Sequence, residues 1–430
     1  MGSFHFIGIK GSGMSALAQV LLDLNHHVQG EDIDAFVFTQ AALESRSIPV
    51  YAFGDAPLAP NMTVIASNAF DDRHPSIIRC KQLGMTVHRY HRFLGELIKD
   101  YTSVAVTGSH GKTTTTGMIV HALDAENPPC SLIGDGTGKG NPSSDQFVFE
   151  SCEYKRHFLA YKPNIAVITN IDYDHPDYFP DIDDVRNAFE EMASLTSGYI
   201  VACGDDEQVR MLKSGTEALY YGFELSNELR AARLSVDGES TFFDVDYKNT
   251  GIGRFSIPSF GKHNVLNALA AIGVALVLDR DLELVKSRLA AFTGVKRRFT
   301  EKAWGNNVII DDYAHHPSEI RATLEAARSK YPGKKVVGIF QPHTYSRLEK
   351  LMDDFASSLR DADDIFLCPV FGSARENAGS VSIGDLRNRI PNAQLISDNI
   401  TTDLNPYNDS ILVFMGAGDI QKYQAQLLQS

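Results

Sequence analysis

Residues 107–116 read TGSHGKTTTT and stand between an apolar run, 104–107, and a stretch of helical pattern. A loop of this kind turns successive backbone N–H groups toward phosphate oxygens at a helix N-terminus, where the helix dipole also favours negative charge. Gly108 and Gly111 let the main chain approach closely, which a side chain would block. Lys112 can reach the β- and γ-phosphates, and the Thr113 hydroxyl can ligate magnesium. Ser109, His110 and Thr114 complete the loop. The GxxGKT spacing is shorter than the common GxxxxGK[ST], so the plain alternative is a Gly-Lys turn that opens a helix without a ligand. No guanine-reading NKxD motif follows, which favours ATP.

A phosphate loop of this type needs further metal ligands. Glu150 ends the strand-like run 146–149, where a carboxylate would stand at the C-terminal edge of a sheet. His175 follows the run 165–170 in TNIDYDH. Each would be an ordinary surface residue alone; beside the loop, both are candidate ligands. A second Gly-rich turn, Gly8, Lys10, Gly11, Ser12 and Gly13, precedes a helix near the N-terminus and could cradle a diphosphate. Asp32 lies at the end of the next short strand, where an acid can bind a ribose hydroxyl. The order is GxxGxG rather than GxGxxG, so a dinucleotide-dependent oxidoreductase is the remote alternative, and an unliganded turn the plain one.

These loops must be held by strands and helices, and short β-branched runs alternate with helical patterns almost throughout the 430 residues. That alternation predicts an α/β protein with parallel sheets. Three stretches, at 4–9, 104–107 and 308–310, each begin like a separate unit, with boundaries expected near residues 98 and 295. The net charge of -14 argues against a nucleic-acid protein. Five scattered cysteines without a CxxC pair fit reduced thiols. The most apolar helical stretch, 265–278, is too short to cross a bilayer, and no basic, apolar leader is visible, so a cytoplasmic location is expected.

With these residues in place, the chain resembles the Mur ligases of peptidoglycan synthesis from end to end. The resemblance rests on the first Gly-rich loop with Met14 and Ser15, TGSHGKTTTT, FESCEYKRHF and TNIDYDH. It continues through GKHNVLNALAA from Gly261, GVKRRF from Gly294, DDYAHHP from Asp311, FQPHTYSR from Phe340 and GAGDI from Gly416. It implies a three-domain architecture: a Rossmann-like UDP-sugar domain at 1–98, a P-loop ATPase domain at 99–295 and a Rossmann-like amino-acid-binding domain at 296–430.

The implied reaction is ATP-dependent ligation through an acyl phosphate and a tetrahedral intermediate, with magnesium or manganese. The branch that joins L-alanine to UDP-N-acetylmuramate is the nearest in its motifs; the rival branch attaches a preformed murein tripeptide to the same nucleotide sugar. By matched positions, Lys112 would stabilise the transferring phosphoryl group and Thr113 with Glu150 would hold one metal ion. His175 would help hold a second, with Asn170 close to the γ-phosphate. Asn264 and Asn267 resemble adenine readers, Arg298 an arginine that reaches the phosphates, and Asp312 a ribose-binding acid. Tyr313, His315, His343 and Arg347 resemble substrate contacts, with Arg347 suited to an amino-acid carboxylate. Many members carry arginine where this chain has Thr344, so one charged contact to the substrate is either missing or supplied from elsewhere. Two relatives use a carbamylated lysine near the metal, and no lysine here is assigned to that role. The Gly-rich segment 134–141 reads as a flexible piece that closes on the muramyl group or as a bare surface loop. Cys152, beside the metal glutamate, reads as a small core residue.

Overall fold

The computed structural model describes residues 1–35, 37–124, 127–372, 376, 378–397 and 399–429. Three sheets follow one another along the chain. The first is parallel, with strands in the spatial order Val50–Ala52, His27–Asp32, Ser3–Ile7, Thr63–Ala66 and Val87–Arg89. Helix Ser12–Asp23 follows its central strand directly, through the Gly-rich turn.

The second sheet has ten strands. Its middle is parallel, and runs through Glu217–Gly222, Tyr199–Cys203, Ile165–Ile168, Thr102–Thr107, Gln146–Glu150 and Cys130–Leu132. Both faces of these strands are buried, so they read as near-continuous apolar runs. Alternate residues nevertheless serve different cores. Val104 and Val106 join the cluster around helix Lys262–Val277, whereas Ala105 joins the cluster on the opposite face. That second cluster also contains Leu17, Val20 and Leu94, so the first domain's helices share a core with Phe147 and Phe149 of the central sheet. The alternating segment 229–257 adds three strands, antiparallel to one another, at one edge, with Thr241, Phe243 and Val245 turned inward. The sequence reading, set on parallel units, passed over this extension.

The third sheet runs Thr300–Trp304, Asn307–Asp312, Ser410–Met415, Lys335–Phe340, Asp364–Leu367 and Gln394–Leu395. Only its first strand is antiparallel; Thr300–Trp304 lies between the boundary expected near 295 and the run at 308–310. Among the described residues no helix is long and apolar enough to cross a membrane.

The segment 134–141 is not a bare surface loop. Its strand Gly138–Lys139 pairs antiparallel with Cys130–Leu132 and lies against helix Ser12–Asp23. Gln19 Nε2 donates to the Gly136 carbonyl at 2.8 Å, and Gly140 N donates to Asp23 Oδ2 at 3.0 Å. A Cβ on Gly138 would fall 1.9 Å from the Ala16 carbonyl oxygen, so glycine here permits two domains to touch.

Candidate active site

Strand Thr102–Thr107 delivers the chain into the phosphate loop, and helix Lys112–Ala122 leaves it with no acidic residue in the first turn. Gly108 and Gly111 have φ of 138° and 79°, the left-handed region that favours glycine. The neighbouring strand Ile165–Ile168 runs into 169–175, which clasps the loop. Asn170 Oδ1 accepts from His110 N at 2.8 Å while its Nδ2 donates to His110 O at 3.0 Å. Asp172 N donates to Ser109 Oγ at 2.8 Å. Asn170 therefore shapes the loop in addition to lying beside it.

Lys112 Nζ donates to the carbonyls of Gly108 and Ser109 and to Glu153 Oε2, the last at 3.0 Å. Glu153 was not singled out from the sequence; the only signal was an acid one turn beyond Glu150. Thr113 Oγ1 donates to Glu150 Oε2 at 2.8 Å, which places two hard oxygen donors side by side as a magnesium site requires. A Cβ on Gly134 would fall 2.1 Å from the Glu150 carboxylate, so the space around that acid is open only because position 134 is glycine. His175 Nε2 lies 3.6 Å from Glu153 Oε1 and 3.7 Å from Asp174 Oδ2. It sits at φ 57°, and its backbone N–H donates to Asp174 Oδ1 at 2.6 Å. Burial lowers its pKa, so the ring is neutral and available as a ligand. Cys152 reaches solvent beside these acids and is not part of a core.

The C-terminal domain closes over this loop. Helix Pro317–Lys330 points its N-terminal turn at it, and Ser318 Oγ donates to Asp172 Oδ2 at 2.7 Å. His110 stands between Asp172 Oδ2, 3.0 Å from its Nε2, and Glu319 Oε1, 3.7 Å from its Nδ1. Burial alone would lower the pKa of His110, but its hydrogen bonds to Asp172 and Glu319 prevail and push it up to about 9. A histidine pKa raised from 6.5 gives stability that is complete below 6.5 and fades as pH rises through about 9. We expect the thermal midpoint to fall across that window at fixed ionic strength, and a His110→Asn variant to show a flatter profile by calorimetry. A variant profile as steep as the parent's would discount this clasp.

A cavity of about 1040 Å³ opens between the two domains. Of the residues expected to meet ATP or its γ-phosphate, His110, Gly111, Thr114, Asn170, Asn264, Asn267, Arg298 and Asp312 line it, whereas Gly108, Ser109, Lys112 and Thr113 do not. Asn267 Oδ1 accepts from Thr115 Oγ1 at 3.0 Å, and its Nδ2 donates to Asn264 Oδ1 at 3.3 Å, so the pair is tied to the phosphate-loop helix. Arg298 Nη1 is 3.5 Å from Glu319 Oε1 and its guanidinium lies over the Tyr313 ring. Asp312 accepts from Phe299 N and Ala314 N, both at 2.8 Å, and so fixes the turn that carries Arg298.

His315 Nδ1 lies 3.1 Å from Glu319 Oε2, with the His343 ring 6.0 Å from its own. The Arg347 fork, expected to meet an amino-acid carboxylate, is engaged by Asp174: Nε and Nη2 donate to Oδ1 at 2.9 and 2.8 Å. Thr344 is buried at φ 69° and presents no charge.

In the first domain, helix Ser12–Asp23 has no side-chain cap and no acid in its first turn, which leaves its N–H groups for an anion. Gly8 turns the chain at φ 84°. Met14 and Ser15 are buried on the helix. Lys10 and Asp32 serve the loop itself: Lys10 N donates to Asp32 Oδ2 at 2.7 Å, and Lys10 Nζ donates to the carbonyls of Ile33 and Ala35 at 2.6 and 3.0 Å. Tyr90, which sequence reading passed over, crosses the entrance; a Cβ on Gly13 would fall 2.8 Å from its hydroxyl. Burial, then the charge of Glu150, raises the pKa of that hydroxyl.

Comparison with known proteins agrees along the chain. Residues 3–102 match the model of the Mur ligase family, catalytic domain; 106–275 match the Mur ligase middle domain; 297–418 match the Mur ligase, glutamate ligase domain. The chain is similar to the UDP-N-acetylmuramate-alanine ligase MurC from Thermotoga maritima, at 27% identity over 100% of this chain and 99% of that one, with a TM-score of 0.84. In fold it is similar to a murein peptide ligase from Psychrobacter arcticus, at 23% identity over 100% and 98% of the two chains and a TM-score of 0.73. A UDP-N-acetylmuramate:L-alanyl-gamma-D-glutamyl-meso-diaminopimelate ligase from Neisseria meningitides is 26% identical over 69% of this chain and 100% of its own, with a TM-score of 0.61.

Proposed function

Since this chain belongs to the Mur ligase family, we propose that it is the ATP-dependent enzyme that joins L-alanine to the lactyl carboxylate of UDP-N-acetylmuramate. The observation that supports this most is the cavity that His110, Gly111 and Thr114 of the phosphate loop line together with Asn264, Asn267 and Arg298. Likeness over both full lengths to a UDP-N-acetylmuramate-alanine ligase supports the choice of amine. The reaction belongs to peptidoglycan precursor synthesis and takes place in the cytoplasm, where the nucleotides are.

ATP would lie along the cavity with its phosphates on the N–H groups of 108–114. Lys112 would exchange Glu153 for the γ-phosphate and meet the charge that builds on the transferring group. Thr113 and Glu150 have the oxygen chemistry to hold magnesium, and Glu153, Asp174 and His175 could hold a second ion. The metal would neutralise phosphate charge and make the γ-phosphorus more electrophilic. The lactyl carboxylate, entering past Gly13 and Tyr90, would attack that phosphorus to give an acyl phosphate and ADP. The amine of L-alanine would then add to the acyl carbon, and the tetrahedral intermediate would collapse with loss of phosphate. Arg347, His343 and His315 would orient the amino acid, and Arg298 of the same domain would meet the phosphates.

The test is phosphate release from ATP and magnesium with UDP-N-acetylmuramate and each of L-alanine, glycine, L-serine and a murein tripeptide. Release that depends strongly on L-alanine is expected. Release with the tripeptide alone would move the protein to the recycling branch, and none with any amine would refute the substrate assignment.

A further inference from the structure

One side-chain cluster on the cavity wall has a geometry that the ligation reaction does not call for. His110 of the phosphate loop, Asp172 of the clasping segment and His316 of the C-terminal domain each offer one ligand atom, all within 4.8 Å of one another. His110 Nε2 lies 3.0 Å from Asp172 Oδ2, and His316 Nδ1 lies 3.6 Å from the same oxygen. A tetrahedral ion with bonds of about 2.0–2.1 Å separates its ligand atoms by about 3.3–3.4 Å. The two measured separations straddle that value.

The outward-facing nitrogens are arranged to match. His316 Nε2 lies 3.4 Å from the Tyr173 carbonyl oxygen, and His110 Nδ1 lies 3.7 Å from Glu319 Oε1. Acceptors behind both imidazoles are the outer-shell partners that orient histidine ligands and fix which nitrogen carries the lone pair. Metal uptake must displace the proton that His110 Nε2 shares with Asp172 Oδ2; the other competing protein donors are weak or movable. Ser318 N reaches His316 Nδ1 only at 3.4 Å, and Ser318 Oγ, 2.7 Å from Asp172 Oδ2, can turn its oxygen inward or yield the fourth position to water.

We propose that His110, Asp172 and His316 form a site for one divalent transition-metal ion, zinc by its ligand set, that ties the C-terminal domain to the phosphate loop. Two imidazoles and one carboxylate favour zinc, cobalt or iron over magnesium, which prefers oxygen donors such as Thr113 and Glu150. The ligands come from both domains, so the ion binds the docked arrangement and stabilises it by mass action. Since His110 belongs to the phosphate loop, the ion would hold the two domains together without nucleotide.

The test uses the full chain, free of nucleotide, titrated with cobalt(II) as an optical probe for the zinc site. One equivalent should give the visible absorption of a tetrahedral complex, and zinc should displace it. His316 is also the N-cap of helix Pro317–Lys330, so the informative variant is His316→Asn, which retains a capping acceptor but removes the imidazole. It should lose the band and bind zinc at least about tenfold more weakly, while its metal-free melting curve matches the parent's. Glu150→Gln should retain the band. No tetrahedral band in the parent, or a band that survives in His316→Asn, would overturn the assignment.

Discussion

Phosphate release by a Lys112→Ala variant is expected to fall by about a thousandfold or more, the scale seen when a preorganised donor to transition-state charge is removed. Burial would lower the pKa of Lys112, but the carboxylates, Glu153 above all and then Glu150, hold it above its ordinary value, so the side chain is a fixed positive charge at the working pH. The same geometry adds a second consequence. Glu153 is 2% exposed, and without Lys112 it must stay charged and unpaired or take up a proton. Breaking a buried pair on one side costs about 3–5 kcal/mol when the other charge remains, and protonation relieves part of it. The double variant Lys112→Ala/Glu153→Gln separates the effects. Its melting temperature should return toward the parent value while phosphate release stays lost. Parent-like turnover in Lys112→Ala would refute the phosphoryl-transfer role outright.

The division between what sequence could and could not disclose follows the range of the contacts. TGSHGKTTTT was legible because strand, turn and helix are contiguous, and each glycine answers a local φ. Glu150 and Thr113 were legible too, as a strand end and a loop hydroxyl, and the structure sets them 2.8 Å apart. Glu153 was hidden because its partner is chosen by the fold and not by its neighbours. The glycines of 134–141 suggested mobility, yet Gly138 is glycine because a helix of another domain presses on it. Cys152 was misplaced for the same kind of reason: it follows an apolar strand, but the chain turns it into the cleft. Lys10 and Asp32, expected to face a ligand, close a short loop on each other, a use of polar residues that spacing alone does not separate from binding.

Arg347 is the residue whose loss should most disturb the relation between domains. Its guanidinium reaches across 173 residues of sequence to Asp174, and both side chains are nearly inaccessible. Burial would raise the Asp174 carboxyl, but the Arg347 guanidinium holds it well below the usual carboxylate range. Replacing Arg347 by methionine keeps most of the volume and leaves Asp174 uncompensated, so docking of the C-terminal domain should weaken by about 3–5 kcal/mol. Small-angle scattering should show a larger radius of gyration, and the C-terminal domain should unfold at lower denaturant than in the parent. Asp174→Asn should open the molecule less, because the amide still accepts from the fork. The two variants also separate docking from substrate binding. If Arg347 meets the amino-acid carboxylate as well as Asp174, the KM for L-alanine rises in Arg347→Met and stays near the parent value in Asp174→Asn. Equal KM changes in both would assign Arg347 to domain docking alone and leave the amino-acid carboxylate to His315 and His343.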